Sequence, residues 1–125
     1  MSKFKVSIVG LGRIAEHYLN ILNSKSFNNI NISSVCDKKK NKLNKFLKKY
    51  KRIPVFSNLN NLLIIDKPDL LIIATPSGIH YENAKLALNK GCNLLIEKPV
   101  TLKAEKTEEL YDLARKKKKK IFVAF

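Results

Sequence analysis

Tryptophan is absent from this 125-residue chain, methionine occurs once, cysteine twice, and glycine and proline four times each. With so little glycine and proline there is no composition for a flexible linker, and no segment repeats. No apolar run approaches the ~20 residues that span a bilayer as a helix. The N-terminal run has only a strand's length, not the long apolar core of a secretory leader, so the expected location is cytoplasmic and no membrane partner is expected. Cys36 and Cys92 lack C-x-x-C spacing, and His17 and His80 have no partner at ligand spacing, so no metal site is expected. Both cysteines read as strand residues in the core or near strand ends, and in a cytosolic fold no disulfide is expected between them.

Acids are also scarce: 10 against 25 basic residues, a net charge of +15. Such a surplus suits a polyanion binder, which gains affinity by releasing counterions. Yet 22 of the 25 bases are lysine, and asparagine and isoleucine are abundant at 13 each, a bias that compositional drift of an A/T-rich coding sequence produces. The lysines are scattered over helix faces, and no aromatic-interleaved RNA motif appears. Nucleic-acid binding is the third reading of this chain, behind the two developed below. Hydrophobic residues make up 45%, a globular composition, and the length suits one domain with a real core.

The stretch that organises the rest is Phe4–Ala15. Val6, Ile8 and Val9 run as a strand into Gly10, a second glycine follows at Gly12, and apolar residues then take helical spacing at Leu11, Ile14, Ala15, Tyr18, Leu19 and Leu22. Strand, tight turn and helix carrying G-x-G-x-x-A are the opening of a dinucleotide-binding βαβ unit. Gly10 permits a turn that a side chain would obstruct. Gly12, without a Cβ, lets a pyrophosphate approach the backbone, and Ala15 stays small so that the helix packs on the strand. The first N–H groups of that helix lack intrahelical partners and carry the positive end of its dipole, which suits an anion. The competing reading is a purely structural tight turn.

A helix over about 12–24 is followed by a polar loop, Ser24–Asn31, and by a second strand, Ile30–Cys36, anchored by Ile30, Ile32 and Val35. That strand ends at Asp37, 25 positions after Gly12, against the roughly 20 usual for the ribose-binding acid. Asp37 is expected to accept the hydroxyls of an adenosine ribose, and equally suits the N-cap of the next helix. Lys38, Lys39 and Lys40 offer a seat for a 2′-phosphate, which the charge of Asp37 would repel, so NAD is favoured over NADP. Residues 38–50 carry Leu43, Phe46, Leu47 and Tyr50 at helical spacing. A short strand at Val55-Phe56 and a short helix through Leu59, Leu62 and Leu63, capped by Ser57 or Asn58, end at Lys67-Pro68-Asp69. Leu70–Ala74 is continuously apolar, as a strand buried on both faces is. After the turn Thr75–His80 comes a helix through Ala84, Leu86, Ala87 and Leu88, stopped at Gly91 in a left-handed cap. A strand, Cys92–Ile96, leads to Glu97-Lys98-Pro99. A helix at about 102–116 carries Leu102, Leu110, Leu113 and Ala114, followed by a frayed, solvated lysine run at 116–120 and a last strand, Ile121–Phe125.

Six strands alternating with helices predict an α/β fold, a doubly wound parallel sheet of order 3-2-1-4-5-6 with helices on both faces, one domain over residues 1–125. The Gly10–Gly12 turn, Asp37, Thr75–His80 and Glu97–Lys98 then share the carboxyl edge of the sheet.

These segments together, Gly10-Leu-Gly-Arg-Ile-Ala15, Asp37, Ala74-Thr-Pro-Ser-Gly-Ile-His80 and Glu97-Lys-Pro99, resemble the Gfo/Idh/MocA oxidoreductases over essentially the whole chain. Glu97-Lys-Pro99 is the most specific element. Gly12-Arg-Ile-Ala-Glu-His17 is similar to the branch acting on UDP-linked N-acetylated sugars and their uronic acids. The resemblance implies that Gly10, Gly12, Arg13 and Ile14 surround the pyrophosphate of NAD and that Asp37 holds the adenosine ribose. It places Thr75, Pro76 and His80 near the nicotinamide, and Glu97 and Lys98 beside the nicotinamide ribose. Lys98 would also reach the substrate hydroxyl as the catalytic base, in a cleft whose cationic nicotinamide could lower its pKa. The competing reading of Lys98 is an ion pair with a carboxylate such as Glu97. The Lys98–Pro99 bond is expected to be cis.

The family continues into a second α+β domain that binds substrate, supplies a further acid–base residue and forms the oligomer interface. The expectation is therefore a truncated product, one part of a split enzyme completed by another chain, or a free nucleotide-binding module that senses dinucleotide or binds a partner. On the first two readings the chain is the cofactor half of a dehydrogenase for a sugar, polyol or nucleotide sugar, and is not competent for turnover alone.

Overall fold

A computed structural model describes residues 3–23 and 28–124. The loop expected at its start, residues 24–27, the helix end expected at residue 24 and the strand end expected at residue 125 lie outside the described residues. The elements are β1 (Phe4–Val9), α1 (Arg13–Leu22), β2 (Ile30–Cys36), α2 (Lys40–Lys49), β3 (Val55–Phe56), α3 (Leu59–Ile65), β4 (Leu70–Ile73), a 3-10 turn (Ser77–Ile79), α4 (His80–Asn89), β5 (Asn93–Glu97), α5 (Ala104–Lys117) and β6 (Ile121–Ala124). All strand pairs are parallel, in the order β3-β2-β1-β4-β5-β6, the expected doubly wound topology.

Two apolar layers hold the sheet. On one face Val6, Ile8, Ile32, Val35 and Ile72 pack against Ala15 and Leu19 of α1 and Phe46 of α2. On the other, Val9, Leu71, Ile73, Leu94 and Ile96 pack against α3, α4 and α5. The central strands are buried on both faces, which is why β4 reads as an unbroken apolar run. Ile32 and Val35 share a face although they are three positions apart, which strict alternation forbids. The register explains it: Val6 pairs with Ile32 but Ser7 with Ser34, so Ser33 is an extra residue in β2, a bulge that restores the inward phase at Val35.

That bulge brings three buried serines together. Ser7 Oγ lies 2.7 Å from Ser34 Oγ and 3.3 Å from Ser33 Oγ. All three hydroxyls donate to Asp66 Oδ2, at 2.5 Å from Ser33, 2.7 Å from Ser34 and 3.2 Å from Ser7. Asp66 is the C-cap of α3, where the helix dipole disfavours an anion. Lys5 compensates, with Nζ 3.0 Å from Asp66 Oδ1 and a further bond to the Asp66 carbonyl. The next residue, Lys67, takes φ 52° and turns the chain into Pro68, a helix stop of the left-handed type.

The remaining differences from the expected boundaries are local. The left-handed stop at Gly91 is present, with φ +87°. β5 is shifted by one residue, so that Glu97 is its last residue rather than lying beyond it. α5 starts at Ala104, and Leu102, expected on its buried face, is 70% exposed. Thr101 causes this: its hydroxyl bonds the Lys103 carbonyl at 2.6 Å, the Lys103 N–H at 3.2 Å and Thr107 Oγ1 at 2.7 Å, a side-chain turn that delays the helix. The lysine run is solvated but not frayed. Lys118 is left-handed, the Lys119 N–H bonds the Ala114 carbonyl, and the Lys120 N–H bonds Asn93 Oδ1, which seats β6 beside β5.

Burial raises the Asp66 carboxyl's affinity for a proton, but the Ser33 and Ser34 hydroxyls and then Lys5 outweigh it and hold the group below the usual carboxylate range. A carboxylate depressed in the fold stabilises it fully above its unfolded pKa, and that stability is lost as pH falls through the folded value. Asp66→Asn is expected to lower stability at neutral pH by about 2 kcal/mol and to flatten the acid limb of the stability curve. Denaturant titrations at a series of pH values check both.

Candidate functional site

The switch point of the sheet lies between β1 and β4, and Gly10 occupies it. Its φ is +95°, and a Cβ there would lie 2.7 Å from the Ala74 carbonyl oxygen and 2.9 Å from the Thr75 nitrogen. The backbone is held on both sides, since the Gly10 N–H bonds the Cys36 carbonyl at 2.8 Å and the Ala74 N–H bonds the Val9 carbonyl at 2.9 Å. Gly12 differs in kind. It is the N-cap of α1 with no side-chain cap, its backbone is extended, and a Cβ there would meet no atom within 4 Å. It therefore leaves open space before the uncapped first turn of the helix, where backbone N–H groups point outward. Ala15, 1% exposed, lets α1 settle on the sheet.

Asp37 is not the cap of α2. That position is taken by Lys39, and no side chain caps the helix. Asp37 Oδ2 instead accepts the Leu11 N–H and Oδ1 the Lys39 N–H, each at 2.8 Å. The carboxylate thus fastens the glycine turn to the end of β2. A carboxylate has about four lone-pair sites, so two backbone bonds leave acceptor capacity for hydroxyl groups.

A groove of about 530 Å³ runs along this edge. Of the residues expected to bind cofactor, Gly10, Gly12, Ile14, Asp37, Thr75 and Pro76 line it, with Lys38, Lys39 and Lys42 on its rim. Arg13, expected at the pyrophosphate, lines an adjoining hollow of about 390 Å³ between α1 and α2 that shares Leu11, Gly12 and Lys42 with the groove and also carries Lys45 and Lys49. His80, expected beside the nicotinamide, is 2% exposed and does not line the groove. Its Nε2 lies 2.9 Å from the Thr75 carbonyl and its Nδ1 3.0 Å from the Pro99 carbonyl, so the ring is used within the protein. Glu97 and Lys98 sit beyond the groove at the end of β5. The Lys98 side chain is exposed, and the Lys98–Pro99 bond is cis, as the resemblance implies.

Three contributors were not anticipated. Asn83, half-buried on α4, lines the groove and donates to Thr75 Oγ1 at 3.4 Å. Its position three residues after His80, on one helix face, is the signal in the sequence. The Leu11 N–H has none. Tyr18, expected as part of α1's apolar face, donates its hydroxyl to Glu97 Oε1 at 2.9 Å. Among the described residues no group of three or more histidines, cysteines, aspartates or glutamates is arranged to hold a metal, and no helix is long and apolar enough to cross a membrane.

With the geometry in place, comparison with known proteins gives the class. The profile of an oxidoreductase family, described as an NAD-binding Rossmann fold, matches residues 4–125. The chain belongs to this family, Gfo/Idh/MocA, and spans its NAD-binding domain. It is 30% identical over 115 residues to a D-glucoside 3-dehydrogenase of Escherichia coli, covering 92% of this chain and 32% of that one. It is 26% identical to the NADP-dependent scyllo-inositol 2-dehydrogenase IolU of Bacillus subtilis, over 89% of this chain and 33% of that one. Among solved structures, the WlbA dehydrogenase of Chromobacterium violaceum, in complex with NADH and UDP-GlcNAcA, superposes with a TM-score of 0.92 at 27% identity, over 99% of this chain and 35% of that one. The chain thus spans about a third of the length of these relatives.

Gly10→Ala combines a clash with backbone and a disfavoured φ, and is expected to destabilise by at least about 2 kcal/mol. Gly12→Val is expected to stay within about 1 kcal/mol of wild type, which thermal or denaturant melts of the pair will show. Burial, and then the bond to and charge of Glu97, push the Tyr18 phenol up to about 12. Titration followed by phenolate absorbance should show a late-ionising component that Tyr18→Phe removes.

Proposed function

We propose that this chain is the cofactor-holding domain of a dehydrogenase acting between NAD and a hydroxyl of a sugar, polyol or nucleotide sugar. One observation carries the reading: the groove joins the open space at Gly12 and the uncapped start of α1 to the Asp37 carboxylate, held by two backbone N–H groups with acceptor capacity to spare. The open end suits a pyrophosphate and the carboxylate suits ribose hydroxyls. A nicotinamide held in the groove supplies a carbon that accepts or returns a hydride.

The protein's own groups do the rest. Gly10, Gly12 and Ile14 flank the phosphates and Asp37 takes the adenosine ribose. Arg13, from the neighbouring hollow, contributes charge rather than contact. Thr75 and Pro76 form the groove's far wall, with Asn83 holding the Thr75 hydroxyl. Glu97, steadied by the Tyr18 hydroxyl, and Lys98 face the nicotinamide ribose, and Lys98 Nζ takes the proton that a substrate hydroxyl releases as its carbon loses hydride. The substrate class follows that of the relatives, which act on a glucoside or an inositol or are solved with a nucleotide sugar. A second, substrate-binding unit completes the site, and the 125 residues alone bind cofactor without turnover.

NAD is preferred over NADP because, among the described residues, Asp37 is the one acid lining the groove, and a 2′-phosphate brought to it is repelled. Lys38, Lys39 and Lys42 on the rim act in the opposite sense, and the carboxylate prevails because it sits at the ribose end of the groove. Titration of NADH and NADPH into the purified chain, read by nicotinamide emission against a protein with no tryptophan, tests this. NADH should bind about tenfold or more tighter than NADPH, Gly12→Val should abolish binding, and Asp37→Ala should narrow the preference. Binding that survives Gly12→Val, or that vanishes equally for both cofactors with modest salt, would instead indicate nonspecific attraction to the lysines.

A further inference from the structure

His80 stands at the junction of the 3-10 turn and α4, 2% exposed. A buried imidazole needs partners, and both of its partners are main-chain carbonyls: Thr75 at 2.9 Å and Pro99 at 3.0 Å. A ring carrying both protons donates to both carbonyls, and a ring with one proton donates to one. The two carbonyls belong to the two segments that build the reactive end of the site. Thr75-Pro76 walls the groove, and Pro99 closes the turn that presents Glu97 and Lys98.

Nothing in the sheet ladder sets these segments against each other at that point. The β4–β5 pairing ends at Ile73 and Ile96; β4 stops there, while β5 runs one residue further, with Glu97 paired to Ala124 of β6. Imidazole is a flat, rigid spacer with its two nitrogens at fixed separation, so bridging two carbonyls fixes their distance in a way that a flexible chain does not. The Tyr18 hydroxyl secures the same turn from the other face of the sheet, through Glu97.

We propose that His80 is a positioning residue: it touches neither cofactor nor substrate, and it holds the Lys98-Pro99 turn in register with Thr75-Pro76 so that the nicotinamide half of the dinucleotide meets a preformed surface. The proposal rests on the cofactor reading above. It differs from the role the resemblance implies for His80, in which the ring lies along the cofactor. Small displacements of such a surface are consequential, since reacting groups need placement to about 0.5 Å.

The test separates the two halves of the ligand in the 125-residue chain. ADP carries the adenosine and pyrophosphate but no nicotinamide, whereas NADH carries both. If wild-type protein binds neither, the cofactor reading itself fails. If it binds both, His80→Phe should keep ADP affinity within about twofold while NADH affinity falls about tenfold, a loss of ~1.4 kcal/mol, and the nicotinamide emission change should disappear. His80→Gln fills much of the same volume and can donate to one carbonyl, so it keeps the test open if the phenylalanine variant does not fold. It should lose part of the NADH advantage with ADP binding intact. Unchanged NADH binding in a folded variant would overturn the proposal, and so would equal losses for ADP and NADH, which would make His80 a residue of general stability only.

Discussion

The contact on which the rest depends is between backbone and backbone: the α-carbon of Gly10 against the Ala74–Thr75 peptide. A side-chain carbon there would stand 2.7 Å from a carbonyl oxygen, so the chain can pass from β1 towards α1 so close to the end of β4 only as glycine. That approach splits the connections: α1 and α2 go to one face, α3, α4 and α5 to the other. The groove is the gap left at the point of divergence, and its lining follows from where strands end. β1 delivers the glycine turn, β2 delivers Asp37 and β4 delivers Thr75.

Much of this was legible in the amino-acid order because the signals were local and of one kind. An apolar run meeting Gly10, the helical spacing of Ile14, Ala15 and Leu19, and the acid closing β2 each state their own place in a βαβ unit, and alternation of strands and helices supplies the strand order. What was not legible depended on pairing across the sheet. Ile32 and Val35 fall out of phase, and only the register with β1 reveals the bulge that reconciles them. Thr101 delays α5 through bonds to Lys103 and Thr107, which propensity alone does not foresee. At the site, residue type singled out Asp37 as a ribose acceptor or helix cap but not its bond to Leu11: the carboxylate fastens the glycine turn and does not cap α2. His80 has the same lesson in reverse, since a polar side chain near a predicted cleft proved to be turned to the protein's own carbonyls.

The polar groups fall into two sets at different depths. The three serines are buried in the body of the sheet and donate to Asp66, which closes the network from the partly exposed end of α3 and pairs with Lys5. That closed network stabilises the junction of β1, β2 and α3 and offers nothing to a ligand. At the carboxyl edge Asp37 is only half satisfied by the protein, and the first turn of α1 has no side-chain cap. Unused acceptor capacity therefore lies at the carboxyl edge and not in the body of the sheet.

The lysine surplus takes on a different meaning beside Asp37. A chain with net charge +15 sets up a field that draws polyanions of every kind towards it, and salt damps that field over a Debye length of about 10 Å at 0.1 M. A carboxylate among the groove lining acts at contact distance, where mobile ions scarcely intervene. On the cofactor reading proposed above, attraction and selection would therefore act on different length scales: ionic strength would govern how often phosphate-bearing ligands arrive, and the carboxylate of Asp37 the choice among them.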